Sequence, residues 1–301
     1  MKRADWTGLI MAGGRGLRMA ASGVAGRKPL IMVRGVSLLE RNVWMMARAG
    51  CTDIRIAIGE SDLATERVEL NDLAMRASGI GVTIGVVMED RPLGNFGAAT
   101  LVGAATDLMV VYADNLTLLD LAALAQAHRQ SGGAMTLAAH VEPFRLPYGE
   151  LDVDAARPGR LRGYREKPLR ELLVSSGLAI VSAAALAELP KGEEIGLSDA
   201  ANRLLAGGLE VALFRHSAPW IDVNDAAKLR DADALVASHA AFDAWWPDAP
   251  TTDLRVAAQG PERVLHAMTS QGVVQARLSA DGTVPVSALG PLWAGRFGGA
   301  A

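Results

Sequence analysis

Leu9-Ile10-Met11-Ala12-Gly13-Gly14-Arg15-Gly16-Leu17-Arg18-Met19 decides the fold, with Lys28-Pro29-Leu30 following shortly after. An apolar run breaks into a glycine-dense turn that carries two arginines. Glycine permits a sharp turn and removes the side chains that would hold a ligand off the backbone. The freed N–H groups can form an anion-binding nest, and Arg18 and Lys28 set mobile positive charge beside it. A strand entering such a turn suits a triphosphate. Two other phosphate loops are excluded by spelling: a dinucleotide fingerprint needs a third glycine where Met19 stands, and a Walker A loop needs Gly-Lys-Ser/Thr where Lys28 lies between Arg27 and Pro29. Taken alone, such a segment is more often an ordinary glycine turn that binds nothing.

Around this strand, apolar runs alternate with amphipathic stretches, the pattern of βαβ units and a parallel sheet. Strands are expected over 7–11, 53–58, 82–88 and 108–112, and helices over 37–49, 61–78 and 96–105. A helix over 118–130 and a strand over 135–140 continue the series. From Pro147 a hairpin is expected from strands over 148–153 and 160–164 around Pro158-Gly159, then a strand over 178–181. Helices over 198–205 and 225–238 flank a strand over 210–214. The expected fold is α/β: a Rossmann-like mixed, mostly parallel sheet flanked by helices, with a small C-terminal appendage. Beyond residue 240, Trp245-Trp246-Pro247 and 248–253 suggest a connector, and 273–289 a hairpin around Asp281-Gly282. No six-residue repeat occurs there.

At 301 residues with 50% apolar composition, the chain can bury one large core. Its formal net charge of −3 argues against a general nucleic-acid binder. No apolar run approaches the roughly 18 residues of a membrane span. Met1-Lys2-Arg3 mimics the start of a signal peptide, but the apolar run behind it is cut at Gly13 to Arg15. The single cysteine, Cys51, fits a reducing compartment, so the cytoplasm is expected. The five histidines show no metal-ligand spacing.

Three further segments carry chemistry. Asp114 follows the apolar run Met109-Val110-Val111-Tyr112-Ala113, which places it at the carboxyl end of a strand, where open α/β sheets bind ligands. Its plain alternative is a helix cap. Glu166-Lys167-Pro168, which follows Gly163-Tyr164-Arg165, is on its own a solvated turn. Pro92-Leu93-Gly94-Asn95-Phe96-Gly97 is on its own a βα loop.

In combination these segments resemble the sugar-1-phosphate nucleotidylyltransferases, or NDP-sugar pyrophosphorylases. That family opens with Leu-Ala-Gly-Gly-x-Gly-Thr-Arg-Leu and a later Pro-Lys-Pro. Met11 to Met19 matches the first, and Arg18 and Lys28 stand at the family's interval. Pro92 to Gly97 resembles Pro-Leu-Gly-Thr-Ala-Gly, and Asp114 the aspartate of its Ala-Asp turn. Tyr148-Gly149 with Glu166-Lys167-Pro168 resembles the pairing in which Gly-x-x-x-x-Phe-x-Glu-Lys-Pro ends a strand. Trp220-Ile221-Asp222-Val223-Asn224 resembles Trp-x-Asp-x-Gly-Thr.

The resemblance implies an Mg²⁺-dependent transfer of a nucleotidyl group from an NTP to a sugar 1-phosphate, or a related phosphate acceptor. It implies nucleotide contacts at Met11, Ala12, Gly13, Gly14, Gly16, Leu93 and Gly94. Arg18 would hold the departing phosphates, Lys28 the α-phosphate and Lys167 the incoming phosphate. Glu166 would accept from sugar hydroxyls, and Gly149 would admit the ring. Asp114 and Asp222 would hold Mg²⁺, which favours hard oxygen ligands. On this basis residues 1–240 form the nucleotidyltransferase domain, with 1–145 on the nucleotide side and 146–240 on the sugar-phosphate side. Residues 241–301 form an extension for which dimer contact, giving a homo-oligomer, or a lid is the expectation.

Four departures stand out. Leu17 removes a hydroxyl, Arg27 replaces the first proline of Pro-Lys-Pro, and Asn224 replaces a glycine whose left-handed backbone asparagine also tolerates. Phe96 replaces an alanine and is expected to narrow the pocket. The loop at 92–94 and the segment 114–121 look most like mannose-1-phosphate guanylyltransferases and their heptose-phosphate and MurNAc-phosphate relatives. GTP therefore stands ahead of CTP and UTP. A non-catalytic regulatory relative that binds sugar nucleotides is the alternative, and a cytidylyl- or uridylyltransferase acting on another phosphate is a further one. An NAD-dependent oxidoreductase is disfavoured by the glycine spelling.

Overall fold

The computed structural model describes residues 6–13, 28–78, 80–103 and 105–242, together with the strands 254–259, 262–269 and 272–277; for 60–68 and those three strands it describes the backbone alone. The strands are β1 (Trp6–Met11), β2 (Met32–Val33), β3 (Val36–Ser37), β4 (Asp53–Gly59), β5 (Thr83–Glu89), β6 (Asp107–Tyr112), β7 (Asn115–Thr117), β8 (Met135–Arg145), β9 (Glu150–Val153), β10 (Leu161–Arg165), β11 (Leu169–Val181), β12 (Val211–Arg215) and β13 (Trp220–Asp222). The helices are α1 (Leu38–Arg48), α2 (Glu60–Ser78), α3 (Leu121–Ser131), α4 (Ala183–Ala187), α5 (Leu197–Ala206) and α6 (Ala226–Ser238).

A seven-stranded sheet runs in the order β12-β8-β11-β6-β1-β4-β5. All neighbours are parallel except β11, which is antiparallel to both β6 and β8. The expected mixed, mostly parallel sheet is therefore present. Alternate residues of each strand feed opposite faces, as a period of two requires. Ile10, Ile56, Met109, Val111 and Ile180 join one core, covered by α1, α2 and α3. Leu9, Met11, Leu108, Val110 and Ala179 join the other, covered by α4 and α5. A third cluster packs Val33, Leu38, Leu116 and Val223 against Ala232 and Val236 of α6.

Helix starts follow their side-chain caps. Ser37 accepts from the Glu40 N–H at 3.1 Å, and Asp225 from the Lys228 N–H at 2.8 Å. Asp120 accepts from the N–H groups of Ala122 and Ala123, so α3 starts at Leu121 rather than 118. The preceding residues 115–117 are used instead as β7.

The helix expected over 96–105 is only a turn of 3-10 helix, Gly97–Leu101. Phe96 inserts its ring into the second core, fully buried, and the Thr100 hydroxyl donates to the Gly97 carbonyl at 2.7 Å. Gly103 then takes a left-handed backbone with φ of 60°. Burying Phe96 outweighs the helical alternative: a full side chain of this kind is worth about 1.5–3 kcal/mol. The expectation that Phe96 narrows the pocket is corrected by the same observation.

Strands β8 and β11 run longer than expected and pair from Leu169 opposite Arg145 to Ser175 opposite Ala139. Their outer halves leave Val141, Phe144 and Leu172 exposed, which erased the usual alternation in the sequence. In the tail, β14 (Leu254–Gln259), β15 (Glu262–Thr269) and β16 (Gly272–Arg277) form an antiparallel meander. Of the hairpin expected over 273–289, its first strand lies within β16, which pairs with β15, and the rest lies outside the described residues. Asp281-Gly282, Trp245-Trp246-Pro247 and 248–253 lie outside the described residues.

Candidate active site

Strand β1 has β4 on one side and β6 on the other, so the chain winds outward in both directions from β1. The crevice beyond the carboxyl ends of β1 and β6 is where such a sheet binds ligands. Backbone bonds fix that edge: the Ala113 N–H donates to the Met11 carbonyl at 3.0 Å, and the Ala12 N–H to the Ala57 carbonyl at 3.0 Å. Met11 and Ala12 are buried, whereas Gly13 is exposed. Gly14, Gly16 and Arg18, with Leu17 and Arg27, lie outside the described residues.

Asp114 leaves the end of β6 at this edge. Its distant partner arrives by strand pairing, since β13 runs antiparallel to β7 with Asp222 opposite Asn115. The Val223 N–H donates to the Asp114 carbonyl at 3.0 Å and closes the junction. Lys28, in the 3-10 turn Lys28–Leu30, reaches both acids: its ammonium pairs with Asp114 Oδ2 and lies 3.7 Å from Asp222 Oδ1. The side chains of Lys28 and Asp114 are 19% and 25% exposed, and Asp222 is 37% exposed, so the group opens to solvent. Three sequence-predicted residues are brought into one charged cluster.

Several polar side chains that sequence reasoning missed hold this cluster in place. Asn42 of α1 is buried and its amide donates to the carbonyls of Ala113 and Asn115 at 3.3 and 3.2 Å. Asn115 Nδ2 and Trp220 Nε1 each donate to the Ser176 carbonyl at 2.8 Å. That shared acceptor ties Asn115, next to Asp114, to Trp220 of the strand bearing Asp222. Gly177, next in β11, has φ of 72°, and a Cβ there would stand 2.8 Å from Asn115 Nδ2. The Ser176 hydroxyl in turn lies 2.8 Å from His140 Nδ1 and 2.8 Å from His216 Nε2. Burial, and next the neighbouring His140, push the His216 pKa down. A visible signal for Asn42 was its place among Leu39, Val43 and Met46 on the buried side of a helix.

Asn224 keeps an ordinary right-side backbone, unlike the left-handed one expected, and acts through its side chain. Its Nδ2 donates to Asp222 Oδ2 at 3.0 Å. Glu89, at the end of β5, sets its carboxylate against Gly13; a Cβ on Gly13 would lie 2.5 Å from Glu89 Oε2. Leu93 is buried, and its carbonyl accepts from the N–H groups of Gly97 and Ile195. Gly94 has φ of 74° and packs so closely on the Ile195 carbonyl that a Cβ would stand 2.7 Å from it. Both residues thus shape the loop from within.

A second group sits on the β9–β10 hairpin and its exit. Glu166 accepts from the Tyr164 hydroxyl at 3.0 Å. Lys167 has φ of 43°, a left-handed conformation that costs a non-glycine residue about 1–2 kcal/mol. Its carbonyl accepts from Arg145 Nη1 at 3.2 Å. Strain of this kind gathers at ligand clamps and active sites. Gly149 is covered by the Tyr164 phenol, with which a Cβ would collide. Tyr164 joins Gly149 to Glu166, Lys167 follows Glu166 in the chain, and none of the described contacts of these residues reaches the Lys28 cluster.

Two carboxylates on a polar, solvent-open edge match a metal that takes few protein ligands and keeps water and substrate oxygens, as Mg²⁺ does. Among the described residues no group of three or more acids, histidines or cysteines could hold an ion. No helix among them is long and apolar enough to cross a membrane.

The nucleotidyl transferase family model matches residues 7–239. The chain belongs to this family. The mannose-1-phosphate guanyltransferase of Debaryomyces hansenii is 26% identical over 223 residues, 72% of this chain and 60% of that protein. The enzyme of that name from Pichia angusta is 28% identical over 54% of this chain and 45% of its own length. The chain thus spans about half the length of the curated relatives it matches. A Bacillus anthracis structure assigned as a glucose-1-phosphate thymidylyltransferase shares the fold, with a TM-score of 0.60 at 18% identity over 78% of this chain and 96% of that one. In this family setting, the match from residue 7 to 239 takes in both charged groups described above.

Proposed function

We propose that this chain transfers a nucleotidyl group from GTP to a sugar 1-phosphate, with Mg²⁺, giving an NDP-sugar and pyrophosphate. The observation that carries the reading is the Lys28 ammonium between Asp114 and Asp222 at the switch point of the sheet. A phosphate oxygen of the sugar 1-phosphate attacks the α-phosphorus. The bond from that phosphorus to the bridging oxygen breaks, and pyrophosphate leaves with the electron pair. No side-chain nucleophile is needed, because the attacking oxygen is already ionised. The protein's work is to position two polyanions and neutralise them.

Lys28 is placed to bind the α-phosphate, exchanging a carboxylate oxygen for a phosphate oxygen. Asp114 and Asp222 are the residues that would hold Mg²⁺, which when bound supplies positive charge beside the phosphate oxygens. Lys167, held in a strained backbone, presents a cation to the incoming phosphate. Arg18 takes the departing phosphates. Mannose 1-phosphate is the first acceptor to test, since the matched relatives are named for it. GTP is supported by those same names.

The reading is tested by incubating the protein with Mg²⁺, mannose 1-phosphate and each of ATP, GTP, CTP, UTP and dTTP, and identifying the product by mass spectrometry. GDP-mannose as the dominant product is expected. Another NDP-sugar would replace the base assignment while keeping the reaction.

A further inference from the structure

We propose that Tyr164 is a gate on the sugar side of the site. Its phenol fills the space beside Gly149 and its hydroxyl engages Glu166, so that an acceptor enters by replacing both contacts. This inference rests on the transferase reading and concerns how tightly sugar 1-phosphates are admitted.

The geometry comes from two strands of one hairpin. Tyr164 of β10 pairs with Leu151 of β9, two residues past Gly149, and its ring reaches back along the hairpin. The hydroxyl, Cζ and Cε1 of the ring fill the space that a Cβ on Gly149 would take, with Cε1 3.0 Å from its position. Only a residue without a side chain leaves room for this. Glycine at 149 therefore has a partner within the chain, and the space expected to admit the sugar is taken by the phenol.

The occupant is held lightly. Tyr164 is 60% exposed, and its hydroxyl's bond to Glu166 Oε2 is likewise solvent-exposed. The contact with Glu166 raises the Tyr164 pKa, because ionising the phenol would place two negative charges together. A sugar hydroxyl offers Glu166 the same neutral O–H donor that the phenol offers now. An acceptor with a hydroxyl in reach of Glu166 exchanges one bond for another. A deoxy acceptor displaces the phenol and leaves Glu166 without that donor, so it is disfavoured. Where the family motif carries Phe, this chain carries Tyr, and the added hydroxyl is the part that competes.

The test uses the whole chain and the variants Tyr164→Phe and Tyr164→Ala. Binding of mannose 1-phosphate, glucose 1-phosphate and their 2-deoxy and 6-deoxy counterparts is measured by calorimetry, with GTP binding as internal reference. Tyr164→Phe should tighten the fully hydroxylated acceptors about three- to tenfold, the range of one neutral hydrogen bond. Deoxy acceptors should tighten by the same factor, because every acceptor displaces the phenol, and Tyr164→Ala should tighten them at least as much, with the GTP dissociation constant unmoved. In wild type, a bound sugar phosphate should shift the phenol titration, read as phenolate absorbance against Tyr164→Phe, back toward its ordinary value. Unchanged acceptor binding in Tyr164→Phe overturns the gate, as does failure of that variant to bind any hexose 1-phosphate. Acceptor binding that responds to Tyr164 without any pyrophosphate release overturns the transferase reading and leaves the gate standing.

Discussion

The Lys28 ammonium pairs with Asp114 and lies 3.7 Å from Oδ1 of Asp222, so one cation spans two carboxylates that lie far apart in the chain. Strand pairing brings the two acids together, the 3-10 turn Lys28–Leu30 supplies the cation, and the positive charge offsets the repulsion between the acids. Lys28→Met should lower the transfer rate about 10²- to 10³-fold, the scale of losing one donor to the developing charge. It should also make thermal stability more dependent on Mg²⁺ than in wild type. A melting series in Mg²⁺ beside a rate assay checks both. Equal Mg²⁺ dependence in the two proteins would contradict the role given to the pair.

Asn224 supplies a side-chain donor to Asp222 Oδ2. Asn224→Gly should keep the fold and slow transfer by about tenfold, the equivalent of roughly one hydrogen bond to a charged group. Asn224→Asp replaces the donor with a like charge and should slow it more. The two rates, measured together, separate lost orientation from added repulsion.

Gly177 lies where β11 bends beneath Asn115, with φ of 72° and no room for a Cβ. Gly177→Ala should cost about 1–3 kcal/mol of stability, because it combines a strained backbone with displacement of Tyr112 and Asn115. A urea midpoint measures the loss. Activity should fall with it, since Asn115 is next to Asp114.

His128 and His216 both have pKa values below the ordinary 6.5, with burial the leading cause. The unfolded chain therefore binds more protons than the folded one as pH falls through about 6.5. Stability should be level above that point and decline below it, toward the lowered folded values. Urea midpoints from about pH 5 to pH 8 test this. His128→Gln should flatten the slope, and rising stability on acidification would contradict the assignment.

The sheet was legible because its central strands bury both faces, which gives short apolar runs such as Leu108 to Val111 bounded by polar residues. The helix over 96–105 was misjudged because Phe96 and Ala98 to Ala99 look like an apolar helix stripe, whereas tertiary burial of Phe96 sets their backbone. The outer halves of β8 and β11 were hidden by exposure, since unburied strands need no alternation. At the site, Lys28, Asp114 and Asp222 could be named from motif spelling. The supports could not: Asn42, Ser176 and Trp220 matter through contacts across distant segments, and a carbonyl such as that of Ser176 carries no sequence signal. The contact of Gly149 with the Tyr164 phenol likewise carries no sequence signal, since it joins two strands of a hairpin.

The most direct measurement is pyrophosphate release by the purified chain with Mg²⁺, GTP and mannose 1-phosphate, run beside Asp114→Asn and a panel of other NTPs and sugar 1-phosphates. The account predicts release with a nucleotide and sugar-phosphate pair, loss of about 10²-fold or more in Asp114→Asn, and an unchanged fold in that variant. No release with any pair, or equal rates in Asp114→Asn and wild type, would contradict nucleotidyl transfer at this cluster.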